Sequence, residues 1–256
     1  MRVKGCEVVK NAHVFGLKES IRGAKFPMAT DVDKLTDELT PGIKALATSG
    51  QGEGHDNWLN GPTVQFDLTF TVKAWTEAER YHFFDFISSQ STMHRITKFN
   101  LKESYISYVD PRIIEIMQEK VDDYNKLASD PTVSPEVLKE LYLEILYSNP
   151  AGFKLTANMR TDYRQLKTIY QQRKKHRLPE WRMFCKWIET LPEADLITTD
   201  IHAEDRNAKE IIVELANKIH PNKHYTMTTS IAELRQAIMF KEHVQKVDSK
   251  MEKKGK

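Results

Sequence analysis

Residues able to bind an anion or a nucleobase are concentrated in three short segments of the sequence. The first is Gly54-His55-Asp56-Asn57, in which a glycine lets the following histidine approach a ligand closely. A histidine that only closes a polar turn is the commoner outcome for such a loop. Taken alone, this segment therefore indicates a ligand contact at His55 only weakly.

The second segment begins with Arg80-Tyr81-His82 and ends with SSQSTMHR at residues 88–95. Serine, threonine and glutamine side chains both donate and accept hydrogen bonds, and the guanidinium of Arg95 offers a fork of N–H donors to an anion. This combination is typical of a site for a phosphate or a nucleobase. A polar loop whose serines cap the next helix is the alternative, and the spacing alone favours neither.

The third segment starts at Asn158-Met159-Arg160 and continues through Arg164 to Arg173. If this stretch is helical, Arg160 and Arg164 share one face, which either binds an anion or is solvated. A nucleic-acid-binding surface is a further alternative, because basic residues interleave with Tyr170 in RQLKTIYQQRKKHR, residues 164–177. That alternative predicts binding that weakens steeply with salt.

Several well-known catalytic and nucleotide-binding motifs are missing from the sequence, namely GxSxG, HExxH, paired CxxC, GxxxxGK[ST] and GxGxxG. We therefore assign no catalytic residue and no metal ligand. Cys6 and Cys185 lie far apart, which argues against a disulfide framework and fits a reducing compartment. Cys185 follows Phe184 and precedes Trp187, so we expect it in the core.

Composition limits the class of protein further. Of the 256 residues, 40% are apolar and 29% charged, which is typical of a globular protein with a sizeable core. The net charge of +2, from 38 basic and 36 acidic residues, argues against a general nucleic-acid coat. The N-terminus lacks the apolar segment of a signal peptide, and no stretch approaches the roughly 18 apolar residues of a membrane helix. We expect a cytoplasmic protein without membrane contact.

A mixed set of strands and helices must position the candidate residues. Strict alternation of apolar and polar residues predicts a half-buried strand over Val64–Val72, and residues 6–16 predict an opening strand. Helices are predicted over 76–87, 111–127, 135–148, 160–173, 179–191 and 208–219, with an extended link at 153–156. Ser134 and the Ser230–Glu233 capping box mark two helix starts. We assign residues 1–192 to an α/β domain and 193–256 to a helical extension with a basic tail.

The order of these segments resembles the flavin-dependent thymidylate synthase family over about residues 45–190. Gly54-His55 resembles the family's GHxS-type loop, and residues 66–74, FDLTFTVKA, resemble its FTF-x-[IV] strand. Residues 155–160, LTANMR, are similar to its T-x-N-x-R segment, and Arg173 is similar to an arginine that holds the nucleotide phosphate. His176 with Glu180-Trp181 resembles its H-x-Q-W-E segment.

The family signature RHRxxSxNExSxR is matched only in part. Ser88 and Arg95 agree with it, and Gln90 is a near match for its asparagine. Ser91 stands at the glutamate and Met93 at the second serine, while the RHR positions fall on Phe83, Phe84 and Asp85. If the alignment is shifted, Arg80 and His82 could supply the cationic contacts that Phe83, Phe84 and Asp85 do not provide. The chain therefore resembles a divergent member of the family, with a phage-type member as one option.

The resemblance implies an α/β (α+β) fold with a central, mostly antiparallel sheet flanked by helices, and a homotetramer. It implies transfer of a one-carbon unit to C5 of a pyrimidine deoxynucleotide monophosphate such as dUMP, with FAD, NADPH and methylenetetrahydrofolate. The implied cofactor-binding residues are His55, Arg80, His82, Ser88, Asn158 and Arg160, and the implied substrate-binding residues are Gln90, Ser91, Arg95 and Arg173. The departures leave two alternatives open: a hydroxymethylating variant, or a non-catalytic nucleotide-binding paralogue without the flavin site.

Overall fold

A computed structural model describes residues 1–49, 53–199, 203–230 and 233–234, with only the backbone described for 203–209. The chain divides into two compact units, Met1–Thr199 and Asp200–Lys256. The first unit holds all the candidate residues named above. Among the helices of the described segments, none combines the length and apolar character that crossing a bilayer requires.

The first unit is built on a five-stranded sheet in which every neighbouring pair is antiparallel. The strands are β1 (Arg2–Val3), β2 (Val9–Phe15), β3 (Thr63–Thr71), β4 (Phe84–Ser89) and β5 (Lys154–Asp162), in the order β1-β2-β3-β5-β4. With the helices described below, this arrangement confirms the α/β fold with a central antiparallel sheet.

The helices of the first unit are α1 (Leu17–Gly23), α2 (Pro41–Ala47), α3 (Val72–Ala78), α4 (Thr92–Arg95), α5 (Leu101–Ser104), α6 (Pro111–Leu127), α7 (Pro135–Ser148), α8 (Tyr163–Arg173), α9 (Pro179–Ile188) and α10 (Asp195–Thr198). Short 3-10 turns occupy Phe26–Met28, Val32–Lys34, His55–Asn60 and Ile96–Lys98. Ser134 accepts a hydrogen bond from the Val137 amide, so the predicted start of α7 is confirmed.

One face of the sheet packs against helices, whereas the polar side chains on the other face are partly or fully exposed. In β3 the even-numbered residues Val64 to Phe70 are fully buried, whereas Gln65, Asp67 and Thr69 point to the other face, as the alternation predicted. The buried face meets Trp181 and Phe184 of α9, with the Phe70 and Trp181 rings 4.9 Å apart. Cys185 is also buried, which confirms its prediction as a core residue.

A second apolar cluster lies under α6 and α7. Its buried members are Ile96, Leu101, Tyr105, Met117, Val121, Ile145 and Phe153. Phe153 links the cluster to the end of the sheet, because its carbonyl accepts a hydrogen bond from the amide of Val72, the first residue of α3. Ile96, Leu101 and Tyr105 lie in the segment after β4, so this segment packs against α6 and α7.

The predicted helix over 76–87 is wrong at both ends. Thr71 accepts a hydrogen bond from the Ala74 amide and so caps a helix that begins at Val72 and ends at Ala78. Phe83 then takes a left-handed conformation, with φ of 57°. Phe84–Ser89 pairs with β5, so an aromatic-rich run with strand preference becomes an edge strand.

The predicted helix over 160–173 starts three residues too early, and the predicted extended link at 153–156 belongs largely to a longer strand. Residues 154–162 form the long strand β5, which pairs with β3 over nine successive residues. Asp162 then accepts a hydrogen bond from the Gln165 amide, so α8 starts only at Tyr163. Arg160 therefore lies on a strand and shares no helix face with Arg164.

The second unit contains α11 (Ala203–Ile219), which includes the predicted helix over 208–219. The capping box is confirmed: the Ser230 amide donates to Glu233, and the Glu233 amide donates to the Ser230 hydroxyl. The rest of the predicted last helix, with Ile238, Val244, Val247 and the basic tail, lies outside the described residues.

Candidate functional site

The open face of the sheet aligns polar side chains from four strands in two rows. Strand pairing places His13, Gln65, Arg160 and Asp85 across one row. It places Lys10, Asp67, Asn158 and Ser88 across the next row. We call this surface, defined by these eight residues together with Asn11, the open face.

Asp67 organises the centre of the open face. Its two carboxylate oxygens accept hydrogen bonds from the side-chain amides of Asn11 and Asn158, both at 2.7 Å. The Asn158 oxygen in turn accepts a hydrogen bond from Gln65 at 3.0 Å. Asn11 reaches this position because it is left-handed, with φ of 50°, within an irregular stretch of the β2–β3 pairing. The amide of Asn158 is thus held in one orientation.

Like Lys10 on β2, Arg160 is an exposed cation of the open face. Its Cα partners are Gln65 on one side and Asp85 on the other. Directly opposite residues of an antiparallel pair have Cβ atoms about 5 Å apart, so the Asp85 carboxylate lowers the positive potential around Arg160. In the described part of the chain, Arg160 forms no ion pair within 4 Å.

The three residues at the RHR positions point in different directions. Phe83 is exposed, and Asp85 lies on the open face. Phe84 is buried and packs against Phe66 and Phe184, with ring centroids 6.1 and 5.8 Å away. Position 84 therefore contributes to the core and is unable to contact a ligand on the open face.

Ser88 and Gln90 complete the strand edge beside Asn158. Ser88 pairs with Asn158, and the Gln90 side-chain oxygen accepts a hydrogen bond from the Thr156 amide at 2.9 Å. The Gln90 amide also donates to the Thr156 carbonyl. The side-chain oxygen of Gln90 therefore extends the hydrogen-bond ladder between β4 and β5 and is already occupied.

His55 starts the 3-10 turn before β3 and is exposed, directly after Gly54 with its φ of 78°. The next residue, Asp56, is buried and ion-paired with Lys167 at 2.9 Å and Arg164 at 3.3 Å. Lys167 also donates to the carbonyls of Ala47 and Ser49. Sequence reasoning missed this buried pair, which anchors the His55 turn to α8; a lysine on the apolar face of α8 was its one sequence signal.

Arg173 belongs to the helical layer on the buried face of the sheet. Its guanidinium donates to Glu77 and to the Tyr81 hydroxyl, both at 2.7 Å, and to His176 at 2.8 Å. It also lies 4.9 Å from the centroid of the Trp181 ring. The side chain is only 15% exposed, so its hydrogen-bonding capacity is largely used within the protein. Burial raises the pKa of Tyr81, which keeps its hydroxyl protonated.

The remaining predicted residues lie at the two ends of β4. Arg80 and His82 are exposed in the turn between α3 and β4. Ser91 precedes α4, and Arg95 ends it beside a cavity under α6 and α7. The structure thus brings Ser88, Asn158 and Arg160 together on the open face, with Gln90 at its edge. His55, Arg173 and Arg95 occupy three other positions.

The sequence matches no protein-family model and no curated protein. The structure, however, is similar to flavin-dependent thymidylate synthase ThyX from Helicobacter pylori complexed with FAD and dUMP. That likeness has a TM-score of 0.53 at 15% identity and covers 77% of this chain and 97% of that one. A second structure of Helicobacter pylori ThyX with FAD and dUMP gives 0.54 at 14% identity, covering 75% and 95%. The chain therefore has the fold of the flavin-dependent thymidylate synthases.

Proposed function

We propose that this protein binds a flavin and a pyrimidine deoxynucleotide monophosphate and transfers a one-carbon unit to C5 of the pyrimidine. One observation carries the proposal. On a fold similar to that of an FAD- and dUMP-bound enzyme, the open face gathers Ser88, Asn158 and Arg160 from segments about 70 residues apart in the sequence. These are residues that the family resemblance independently assigned to the flavin site.

The flavin assignment is tested by the residues present. Arg160 supplies an exposed cation, Asn158 an oriented amide and Ser88 a hydroxyl, which are donors that suit the phosphates and ring edge of FAD. Both oxygens of the Asp67 carboxylate already accept hydrogen bonds from side-chain amides of the protein. Asp85 opposes an anion, but it lies beside Arg160, so the residues fit a flavin with weakened affinity. When bound, the flavin would supply hydride chemistry; His55, Arg80 and His82 remain proposed contacts.

The proposed nucleotide contacts are Ser91, Gln90, Arg95 and Arg173. Arg95 is exposed at the end of α4 and lies within a cationic cavity, which supports a phosphate contact. Arg173 would have to exchange Glu77 for the phosphate, because its guanidinium is bonded to that carboxylate. We therefore assign the phosphate first to Arg95.

The finer parts of the proposal follow from the family resemblance. They are NADPH as reductant, methylenetetrahydrofolate as one-carbon donor, and a homotetramer in the cytoplasm. A hydroxymethylated product is the alternative within the same chemistry, because the substituted signature positions belong to the base and flavin regions.

A second candidate function is nucleotide binding without flavin chemistry. A specific observation favours it: Phe84 occupies the core where the signature has a histidine between two arginines, and Asp85 replaces the second arginine. Loss of two cations beside an anionic cofactor weakens its binding substantially.

The visible absorption spectrum of the purified protein, recorded with and without added FAD, separates the two candidates. A flavin band that remains with the protein through gel filtration supports the enzyme, and turnover is then measured with dUMP, methylenetetrahydrofolate and NADPH. A colourless protein that does not bind added FAD but binds dUMP in calorimetry supports nucleotide binding without flavin chemistry. That result overturns the proposed flavin enzyme.

A further inference from the structure

A cavity of about 860 Å³ opens between the segment after β4 and the helices α6 and α7. Its floor is formed by residues 93–98, one wall by the second half of α6 with the following turn, and the other wall by the first three turns of α7. The lining residues are Met93, His94, Arg95, Thr97, Lys98, Tyr124, Asn125, Ala128, Ser129, Pro135, Leu138, Lys139, Tyr142, Leu143 and Leu146.

All the charged residues that line this cavity are basic. Arg95 and Lys98 come from the floor and Lys139 from α7, with His94 beside them, and the lining contains no carboxylate. Among the residues that the structure describes, none of these four side chains is within ion-pair distance of an acidic group. In a protein whose acidic and basic residues nearly balance, three unpaired cations around one cavity attract an anion with more than one negative charge.

The rest of the cavity is lined mainly by aromatic and aliphatic side chains. Tyr124 and Tyr142 pack edge to face with ring centroids 5.3 Å apart, and Leu138, Leu143 and Leu146 flank them. The Tyr142 hydroxyl donates to the Thr92 carbonyl at 3.5 Å, which ties α7 to the start of α4. Burial raises the pKa of Tyr142, so the hydroxyl remains a donor.

Polar groups at the side of the cavity add hydrogen-bonding capacity. Asn125 donates to the Thr97 carbonyl at 3.3 Å, which fixes its amide between the floor and α6. Ser129 lies one turn further along the same wall. The volume falls in the range of small-molecule sites, whose walls are mainly apolar with a few polar groups that orient the ligand.

We propose that this cavity binds the phosphomonoester of a small ring-bearing molecule. The phosphate dianion lies between Arg95, Lys98 and Lys139, and the ring lies against Tyr142. Two sources share this chemistry: the pyrimidine nucleotide of the proposed function, or another phosphorylated metabolite. The inference rests on the proposed function only through Arg95, since Lys98, Lys139 and Tyr142 have no part in it.

Isothermal titration of the full chain measures this directly, with dUMP, ribose 5-phosphate and uncharged deoxyuridine as probes. In the double variant Lys98→Gln, Lys139→Gln, the affinity for the phosphorylated probes should fall by about tenfold or more. The reason is that each variant position loses a charge-assisted hydrogen bond to the phosphate, which raises the Kd. Lys126→Gln, Lys102→Gln is the matched control, because it removes the same charge from α6 and α5 without touching the lining.

The possible outcomes separate this inference from the proposed function. Tighter binding of dUMP than of ribose 5-phosphate, lost in the double variant, identifies the cavity as the nucleotide site. Equal binding of both, also lost in the double variant, supports the cavity while removing its pyrimidine specificity. Equal affinity in the double variant and its control, or no heat with either phosphorylated probe, overturns the inference even if the protein retains FAD.

Discussion

Asn158 on β5 donates a 2.7 Å hydrogen bond to Asp67 on β3, and these two residues are direct partners across the strands. Replacing Asn158 with alanine removes one donor from the carboxylate and the acceptor of Gln65. We expect the free energy of unfolding in urea to fall by about 1.5–3 kcal/mol, because hydrogen bonds to charged groups contribute this much.

Gln65→Ala is the control for this network, because it removes only the 3.0 Å bond to Asn158 and should cost less. A double-mutant cycle over Asp67 and Asn158 then measures their coupling energy. Additive costs in that cycle would show that the two side chains do not stabilise each other.

Arg160 and Asp85 should have opposite effects on flavin binding. Arg160→Ala should weaken FAD binding by about tenfold through loss of a charge-assisted contact, and Asp85→Asn should strengthen it by removing the opposing carboxylate. Fluorescence titration of FAD measures both changes. Arg177→Ala removes an exposed cation elsewhere and should leave the affinity unchanged; equal affinities in all three variants would remove the flavin from the open face.

Phe83 and Phe84 should respond differently to arginine. Phe84→Arg places a cation among the buried rings of Phe66 and Phe184 and should destabilise the fold by about 3–5 kcal/mol. Phe83→Arg changes an exposed side chain and should change stability by less than about 0.5 kcal/mol. Thermal unfolding compares the two, and equal melting temperatures would place Phe84 outside the core.

The buried pair of Asp56 and Lys167 should contribute strongly to stability. Lys167→Ala leaves the Asp56 carboxylate buried with only Arg164 beside it, and should cost about 3 kcal/mol, typical of breaking a buried pair. Lys175→Ala, on an exposed lysine of the same segment, is the control. Urea midpoints that match between the two variants would contradict this role.

Cys185 should be inert in the native protein. Burial raises the pKa of its thiol to about 12, from an ordinary value of 9.0, so the reactive thiolate is scarce near pH 8. Titration with a thiol reagent should label the half-buried Cys6 and leave Cys185 unlabelled until urea is added. Rapid labelling of both thiols in native protein would show that the Cys185 site opens freely.

The raised pKa of Cys185 also predicts how the free energy of unfolding changes at alkaline pH. The folded pKa of Cys185 lies above the unfolded one, so its contribution is complete below pH 9 and is lost as the pH rises toward 12. Cys185→Ala should therefore flatten the fall in unfolding free energy over this window. An unchanged pH profile would assign that fall to other groups, of which Tyr105, with its pKa raised to about 12, is one.

Local signals in the sequence were sufficient for several elements. The alternation predicted the strand and its buried face correctly from Val64 to Phe70, because a period of two fixes the orientation of successive side chains. At the end of the predicted range, Thr71 is buried and Val72 begins α3. Ser134 and Ser230 marked helix starts, since capping depends on residues within one turn. The family resemblance, carried by short motifs, identified the fold that the structural comparison confirms.

Other features depended on contacts between distant segments. The run at 84–89 has aromatic residues but also follows a strong helix start, and only pairing with β5 makes it a strand. Residues 154–162 likewise extend because β3 offers a complete ladder partner. Strand pairing of this kind is non-local, so propensity in one segment does not determine it.

The sequence by itself determined the fold family, the β3 strand and the residue types available for binding an anion. Only the tertiary structure decided which of these residues meet. It put Arg160 beside Asp85 through strand register, engaged Arg173 with Glu77 through helix packing, and assembled the cationic cavity around Arg95. The physical reason is that hydrogen bonds and ion pairs require groups a few ångströms apart, and that proximity is set by the packing of the whole chain.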